Sequence, residues 1–522
     1  LIFFLMSPLA LISVSDKTNI IDFSKVLVKE FGYKILSSGG TAKHLEEAKI
    51  PVIKVSEFTN SPEILEGRVK TLHPRIHGGI LAKRSNKIHL NDIENHNIDL
   101  IDLVVVNLYP FQKKIEANCS WEEAIENIDI GGPSMIRSAA KNHQDVSVLV
   151  NYNQYDQFID ELRKGSLLSS YKTELALKAF EHTASYDAAI SNWIAKEKKL
   201  ESNIHIRTFP FLRNLRYGEN PHQKATWYGL NDMGWNAAKQ LQGKELSYNN
   251  LLDLESALST VLEFDYEQKQ NPPQEINAAV ILKHNNPCGA ALANSPSDAF
   301  RKALDCDSTS AFGGIVAFNN NVDFKAAELL ANIFLECVVA PSFDKAALEI
   351  LNKKKNLRLL ELNKENIKID NKSTFKSILG GILEQENDNE IDQENEWSFV
   401  TQTRPSTQEC NDLRFAWKIC KHVKSNAIVI AKNLTTIGIG AGQMNRVGAA
   451  KIALDSSKDK SHNAVLASDG FFPFSDSVKI ANEYGIKSII QPGGSVRDKE
   501  SIDMCNKFGI SMIFTNRRHF LH

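Results

Sequence analysis

The sequence has no C-x-x-C pair, no long apolar run and almost no net charge. Its seven cysteines (Cys119, Cys288, Cys306, Cys337, Cys410, Cys420 and Cys505) are scattered and odd in number. That excludes a disulfide framework and reads as reduced thiols in a cytoplasmic protein. Without ~18 consecutive apolar residues, no membrane-spanning helix is expected. A net charge of −2 gives no pull toward nucleic acid or membrane, so any anion site must be local. The opening "LIFFLMSPLALISVSDK" lacks a basic leader and a small-residue cleavage site, which argues against a signal peptide. "LALISV" reads as a first strand, and the natural start is expected at Met6, with Leu1–Leu5 an upstream extension.

The chain has 522 residues, 42% hydrophobic and 24% charged, the profile of a globular protein of about two to four domains. Over the first part, short β-like runs alternate with amphipathic stretches. "LALISVS", "YKILSSGG", "PVIKVS", "DLVVVNLYPF" and "DVSVLVN" read as strands. In "TNIIDFSKVLVKEF", Ile20, Phe23, Leu27 and Phe31 share one helical face. This βαβα order predicts an α/β fold with a doubly wound parallel sheet, whose ligands sit beyond the C-terminal strand ends. A domain boundary is expected in the charged stretch Ala195–Asn203, giving domains 6–200 and 201–522. Further on, "AAVILKH", "GGIVAF", "AIVIAKN", "TIGIGAG", "AVLASD" and "KSIIQPGG" read as strands. "AAVILKHNNPCG" and "NAVLASDGFFPF" look alike and hint at a duplicated unit. The run 384–396 carries seven acids and no base, and reads as a solvated loop or insertion.

Four segments carry chemistry. "SSGGT" follows a strand and opens a helix, a backbone arrangement that cradles a phosphate or simply makes a tight turn. "EGRVKTLHPRIHGG" gathers Arg68, Lys70, His73, Arg75 and His77 in a Gly/Pro-punctuated loop, either solvated or a phosphate clamp. "NIDIGGPSMIRSAAKN" ends a strand-like piece at Asp129 and starts a helix near Pro133, on which Arg137 and Lys141 share a face. "KHNNPCG", Lys283–Gly289, puts a lysine, a histidine and a cysteine together. It lacks the second cysteine and the glutamate of a zinc deaminase. The remaining readings are a Cys288–His284 nucleophile pair, a Lys283/His284 acid–base pair, or a polar loop without chemistry. The Gly-rich runs 310–318 and 437–446 are not proper dinucleotide fingerprints.

Taken together, "ISVSDKT", "SSGGTAKHL", "EGRVKTLHP", "VVVNLYPF", "IDIGGPSMIRSAAKN", "LRYGENPHQ", "LKHNNPCGAA", "SAFGGIVAF", "SNAIVIAKN", "GIGAGQMNR", "SDGFFPFSD", "QPGGS" and "RRHFLH" closely resemble one family. It joins 5-aminoimidazole-4-carboxamide ribonucleotide (AICAR) formyltransferase to IMP cyclohydrolase. The resemblance runs in order from Leu11 to the last residue. It implies a methylglyoxal-synthase-like N-terminal domain and a C-terminal transformylase of two cytidine-deaminase-like units. It also implies 10-formyltetrahydrofolate as co-substrate, no catalytic metal, and a homodimer with the transformylase site at its interface. A rival class, a nucleotide-binding regulatory domain fused to a deaminase, needs zinc ligands that the sequence does not space.

The resemblance places the cyclohydrolase pocket at Ser15, Asp16, Lys17, Ser38, Gly39, Gly40, Thr41, Arg68, Lys70, Thr71, Asn107, Tyr109, Asp129, Ile130 and Lys141. Lys70 and Tyr109 are expected to polarise the formyl oxygen, and Asp129 with Lys141 to move protons. In the transformylase, AICAR would meet Arg216, Tyr217, Gly313, Glu336, Asn426 and Arg446. The folate would meet Val447, Phe471, Asp476, Ser495, Val496 and Arg518. His284 is expected to take the proton from the nucleotide, and Lys283 to stabilise the formyl oxygen or protonate the leaving folate nitrogen. The sequence departs from the family pattern at few points. Glu336 stands where the family also uses Asp, and Leu521 where a basic residue is common. Cys288 stands where alanine is tolerated.

Overall fold

The computed structural model describes residues 7–62, 64–165, 167–229, 233–264, 276–367, 373–389 and 394–522. The expected extension before Met6 lies outside them. The chain divides into two compact units after Thr208. The charged stretch expected to be a linker begins inside a helix, Ser169–Lys198.

The first unit is built on a five-stranded sheet: β1 (Leu9–Val14), β2 (Lys34–Ser37), β3 (Val52–Lys54), β4 (Leu103–Asn107) and β5 (Ser147–Leu149). The order is β3-β2-β1-β4-β5, with every pair parallel. Apolar runs buried on both faces make such strands, and helices cover them. Helix Ile20–Phe31 buries Ile20, Phe23 and Leu27, as the periodicity predicts, and Phe31 is half-buried. The strand order reverses between β1 and β4, and that switch point opens a crevice beyond their C-terminal ends.

The second unit contains two six-stranded sheets of the same design. The first uses β8 (Lys239–Gln242), β9 (Asn277–Lys283), β10 (Asn286–Ala293), β11 (Ile315–Phe318), β12 (Cys337–Ala340) and β13 (Arg358–Glu361), in the order β10-β9-β11-β12-β13-β8. The second uses β16 (Ser398–Phe399), β17 (Ile428–Ala431), β18 (Thr436–Gly440), β19 (Val465–Ser468), β20 (Ser488–Gln491) and β21 (Ser511–Phe514), in the order β18-β17-β19-β20-β21-β16. Two hairpins, β6 (Phe211–Leu215) with β7 (Ala225–Tyr228) and β14 (Ser373–Ile378) with β15 (Gly381–Glu386), stand outside both sheets.

The alternation of side chains along a strand divides the cores. Ala278, Val280 and Leu282 of the first sheet and Ala427, Val429 and Ala431 of the second face one shared core with Trp417. Ala279 and Ile281 face an outer core of the first half, and Ile428 and Ile430 an outer core of the second. Glycine is required in each half where a strand crosses a helix. A Cβ on Gly289 would lie 2.0 Å from Ala303 O, and one on Gly438 2.0 Å from Ala453 O.

Several expectations are corrected. The duplication is present, but "AAVILKH" pairs with "AIVIAKN" rather than with "NAVLASD". The last forms β19, whose counterpart is β11. The stretch after His284 is not a polar loop. It is a two-residue turn, His284–Asn285 with φ of 54° and 58°, feeding β10. Pro74 begins a helix, Pro74–Leu81, so His77 lies on a helix rather than in a loop. Asp129 follows helix Trp121–Glu126 instead of ending a strand, and Pro133 is the third residue of helix Gly131–Lys141. In the acidic run, Glu384–Glu386 belong to β15, and 390–393 lie outside the described residues.

Candidate functional sites

In the first unit, the switch-point crevice gathers most of the expected residues. Asn107 Oδ1 accepts from the backbone N–H groups of Ser15 (2.6 Å) and Asp16 (2.9 Å), and its Nδ2 donates to Asp16 O (2.9 Å). The loops after β1 and β4 are thereby tied together. Thr41 is buried and spends its hydroxyl on Val14 N (3.0 Å) and Val14 O (2.9 Å). It therefore anchors the "SSGGT" turn to β1 and has no hydroxyl capacity aimed at a ligand. Helix Gly39–Glu47 has no acid in its first turn, and Ser38 makes no side-chain cap. Its N–H groups face the region of Lys70, whose Nζ would lie 2.8 Å from a Cβ on Gly39. Bare helix N–H groups beside an ammonium form an anion site.

On the opposite wall, Asp129 Oδ1 accepts from Gly132 N (2.8 Å), and Tyr186 Oη accepts from Asp129 N (2.8 Å). Burial raises the Asp129 carboxyl above its ordinary range, despite the N–H groups of Gly132 and Tyr109 that favour its charge. Burial, and then the Asp129 charge, raise the Tyr109 phenol. A neighbouring acid and phenol, each biased toward its protonated form, suit proton exchange at a reacting nitrogen or oxygen. Glycine lets these walls approach: a Cβ on Gly131 would lie 2.5 Å from Thr71 Oγ1, and one on Gly132 2.4 Å from Asp129 Oδ2. Ile130 is exposed beside them. Arg68 forms an ion pair with Glu126, and Asp16 takes Thr18 Oγ1 (2.6 Å).

Lys141 does not join this group. It ends helix Gly131–Lys141, whose ten-residue rise is about 15 Å, whereas Asp129 precedes the start of that helix. The length of that helix rules out direct contact between Asp129 and Lys141. Arg137, on the same face, lies over the ring of Phe180 at 5.7 Å.

In the second unit, the turn after β9 presents the second site. Asp253, on helix Tyr248–Leu262, accepts from Asn285 N at 2.7 Å. Burial raises its carboxyl, against the N–H of Asn285 and the neighbouring His284. This clamp holds His284 in a left-handed conformation that a β-carbon disfavours by about 1–2 kcal/mol. Lys283 Nζ donates to Phe312 O at 2.7 Å, next to Gly313, whose N–H bonds Phe334 O (2.8 Å) at φ 75°. Glu336 Oε2 accepts from Asn250 Nδ2 (3.1 Å) and Arg358 (3.2 Å). The loop bearing Arg216 and Tyr217 reaches the same helix, where Asn249 Nδ2 donates to Glu219 O at 3.2 Å.

Cys288 is excluded as a nucleophile. Its thiol is pushed up to about 12, first by burial, and lies 3.5 Å from Ile281 O. The sequence did not reveal Asp253, Asn250 or Arg358, because nothing in "YNNLLDLES" marks Asp253 apart from other helical acids.

The remaining expected residues form a cluster in the second half. Arg446 is buried and donates to Ser468 Oγ (2.9 Å), Asp469 and Asn426 Oδ1 (2.8 Å). It is therefore part of a network rather than an exposed cation. Val447, Phe471 and Val496 are exposed apolar groups. Asp476 starts helix Asp476–Glu483, Ser495 lies in the "PGGS" turn, and Arg518 lies over Phe520 at 4.6 Å. Asn286 Oδ1 links this cluster to the His284 turn by accepting from Lys424 N (3.1 Å). Among the described residues, no group of three or more His, Cys, Asp or Glu is placed to hold a metal ion, and no helix is long and apolar enough to cross a membrane.

Residues 19–134 match the MGS-like domain, and residues 139–456 match the AICARFT/IMPCHase bienzyme. A bifunctional purine biosynthesis protein PurH from Prochlorococcus marinus (strain MIT 9515) is 68% identical over 517 residues, 99% of this chain and 100% of that one. Proteins of the same name from P. marinus subsp. pastoris (strain CCMP1986 / NIES-2087 / MED4) and P. marinus (strain NATL1A) are 68% and 58% identical, over 99% of this chain and all of theirs. With its switch-point crevice, its duplicated second unit and similarity along nearly its whole length, the chain belongs to the AICARFT/IMPCHase bienzyme family.

Proposed function

We propose that the chain performs the two closing reactions of IMP synthesis at separate sites, one in each unit. In the second unit, the amine of AICAR attacks the formyl carbon of 10-formyltetrahydrofolate. His284 takes the proton released by that amine. Lys283 stabilises the oxyanion and supplies a proton to the departing folate nitrogen. In the first unit, the carboxamide nitrogen of the formylated product attacks its own formyl carbon, and water leaves. Because the attack is intramolecular, orientation supplies much of the rate.

The phosphate is assigned to the N–H groups of Gly39–Thr41 with Lys70. Tyr109 and Asp129 move the protons, and Asn107 fixes the loops that hold Ser15, Asp16 and Lys17. Arg68, Thr71 and Ile130 line the remaining wall. The observation that carries this reading is the Asp253-clamped turn, which fixes His284 and Lys283 beside Gly313 and Glu336.

AICAR is assigned to Arg216, Tyr217, Gly313, Glu336, Asn426 and Arg446. The folate is assigned to Val447, Phe471, Asp476, Ser495, Val496 and Arg518. We infer a homodimer as the working form, as the family resemblance implies. The seven free cysteines fit a cytoplasmic setting. The test supplies AICAR and 10-formyltetrahydrofolate and follows tetrahydrofolate and IMP together. Both should form in equal amounts; tetrahydrofolate without IMP, or neither product, overturns the two-site reading.

A further inference from the structure

The two halves of the second unit match residue by residue around their turns. Ser247 with Asn250 and Ser406 with Glu409 form capping boxes on helices Tyr248–Leu262 and Thr407–Lys421. One turn further along each helix stands an aspartate. Asp253 accepts from Asn285 N (2.7 Å), and Asp412 from Asn433 N (2.9 Å) and Leu434 N (2.6 Å). The clamped turns are alike: His284 and Asn285 have φ of 54° and 58°, Asn433 and Leu434 of 53° and 55°. The lysine before each turn donates to a backbone carbonyl at 2.7 Å, Lys283 to Phe312 O and Lys432 to His462 O. Asn319 Oδ1 accepts from Ala278 N (2.8 Å) as Asp469 Oδ1 accepts from Ala427 N (3.1 Å).

The halves meet along β10 and β18, which run antiparallel through Ala291 and Thr435. Each turn therefore abuts the other half: Asn286 takes Lys424 N (3.1 Å), and Leu434 O takes Leu292 N (2.9 Å). A cavity of about 530 Å³ lies at the second turn. Its walls include Asp412, Asn433 and Gln408 from one half and Asn294, Arg301 and Lys302 from the other. That volume is within the usual range for small-molecule sites.

We propose that this cavity is a second ligand site, the counterpart of the formyl-transfer site, and that it holds a ribonucleoside 5′-monophosphate without converting it. The proposal rests on the reading of the His284 turn as the formyl-transfer site. Asn433 stands at the position of His284 and cannot take a proton, so the site binds but does not catalyse. The lining carries two carboxylates and two cations; Asp298 pairs with Arg301 (2.6 Å) and the Asp412 oxygens accept the turn N–H groups, so Lys302 is the lining cation outside an ion pair and the one to meet a phosphate. Gln408 Nε2 donates to Asn433 Oδ1 (2.6 Å) and Asn411 Oδ1 accepts from Arg414 (3.0 Å), which leaves Gln408 Oε1, Asn411 Nδ2 and the Asn294 amide to meet a base and sugar. The occupant is thus close in chemistry to the nucleotides of the two reactions.

The test is photolabelling of the full-length protein with 8-azido-AMP, followed by peptide mapping. Label is expected on peptides spanning 292–302 or 408–434, competed by AMP. The double variant Arg301→Gln, Lys302→Gln should weaken that label about tenfold or more, with formyl-transfer kcat/KM unchanged. His284→Ala should lose transfer yet keep the label. Absence of label from these peptides in the wild-type protein, or label that survives the double variant, overturns the second site. Retention of transfer by His284→Ala overturns the catalytic reading instead, so the two failures are distinguishable.

Discussion

Replacing Gly39 by alanine should separate the two reactions. Gly39 has φ +52°, and an added Cβ would lie 2.8 Å from Lys70 Nζ. The left-handed conformation costs a non-glycine residue about 1–2 kcal/mol. Lys70 is flexible at its far end, so it moves aside at little further cost in stability. For a unit of this size, the loss corresponds to a Tm lower by about 2–8 °C. The catalytic loss should be larger. A displaced ammonium forfeits a charge-assisted bond to the substrate phosphate, about 1.5–3 kcal/mol, or roughly ten- to a hundred-fold in kcat/KM. Gly40→Ala is the internal control, because its Cβ meets nothing within 4 Å. The assay supplies formylated AICAR and follows IMP by absorbance, with formyl transfer measured in parallel. Cyclisation by Gly39→Ala within twofold of wild type would refute the assignment of Lys70 and this helix end to the substrate.

Three further outcomes are expected. Asp253→Ala releases the His284 turn, so formyl-transfer kcat should fall about tenfold or more while AICAR KM changes little, and cyclisation stays intact; an equal rise in KM would mean that the turn only binds. Asp129→Asn should abolish cyclisation yet leave Tm at pH 8 equal or higher. Burial raises this carboxyl, so its contribution to stability is present in acid and lost as pH rises through the raised pKa; a lower Tm at pH 8 than at pH 4, relative to wild type, contradicts this. Glu263 is partly buried, but His422 and Lys421, each at 2.9 Å, hold its pKa down to about 2. Its contribution, up to about 3 kcal/mol, is present above the ordinary glutamate range and lost as pH falls toward 2. Urea titration of Glu263→Gln should show that deficit at pH 7 and little of it at pH 2.

Much of this architecture is visible in the sequence where a single run of residues decides the outcome. The buried strands announce themselves as apolar, β-branched runs, and "SSGGT" joins a strand to a helix as its residues dictate. β10 is hidden because "NPCGAALA" holds proline, glycine and little β-branching, although Gly289 is what lets that strand cross the helix at Ala303. The duplication is legible only in the right register, since β19 resembles β9 in composition while β17 shares its lysine, its turn and its clamp. Asp253 is invisible because its role depends on a turn 31 residues later in the chain. Lys141 shows the converse: it is near Asp129 in sequence, and the length of the intervening helix keeps the two side chains apart.

The central claim is that the two reactions use different residues in different units. The most direct measurement is the rate of both reactions in His284→Ala, with formylated AICAR supplied for the second. Formyl transfer should fall about a hundredfold or more, with cyclisation at the wild-type rate. Loss of both together, or transfer that persists, contradicts the claim.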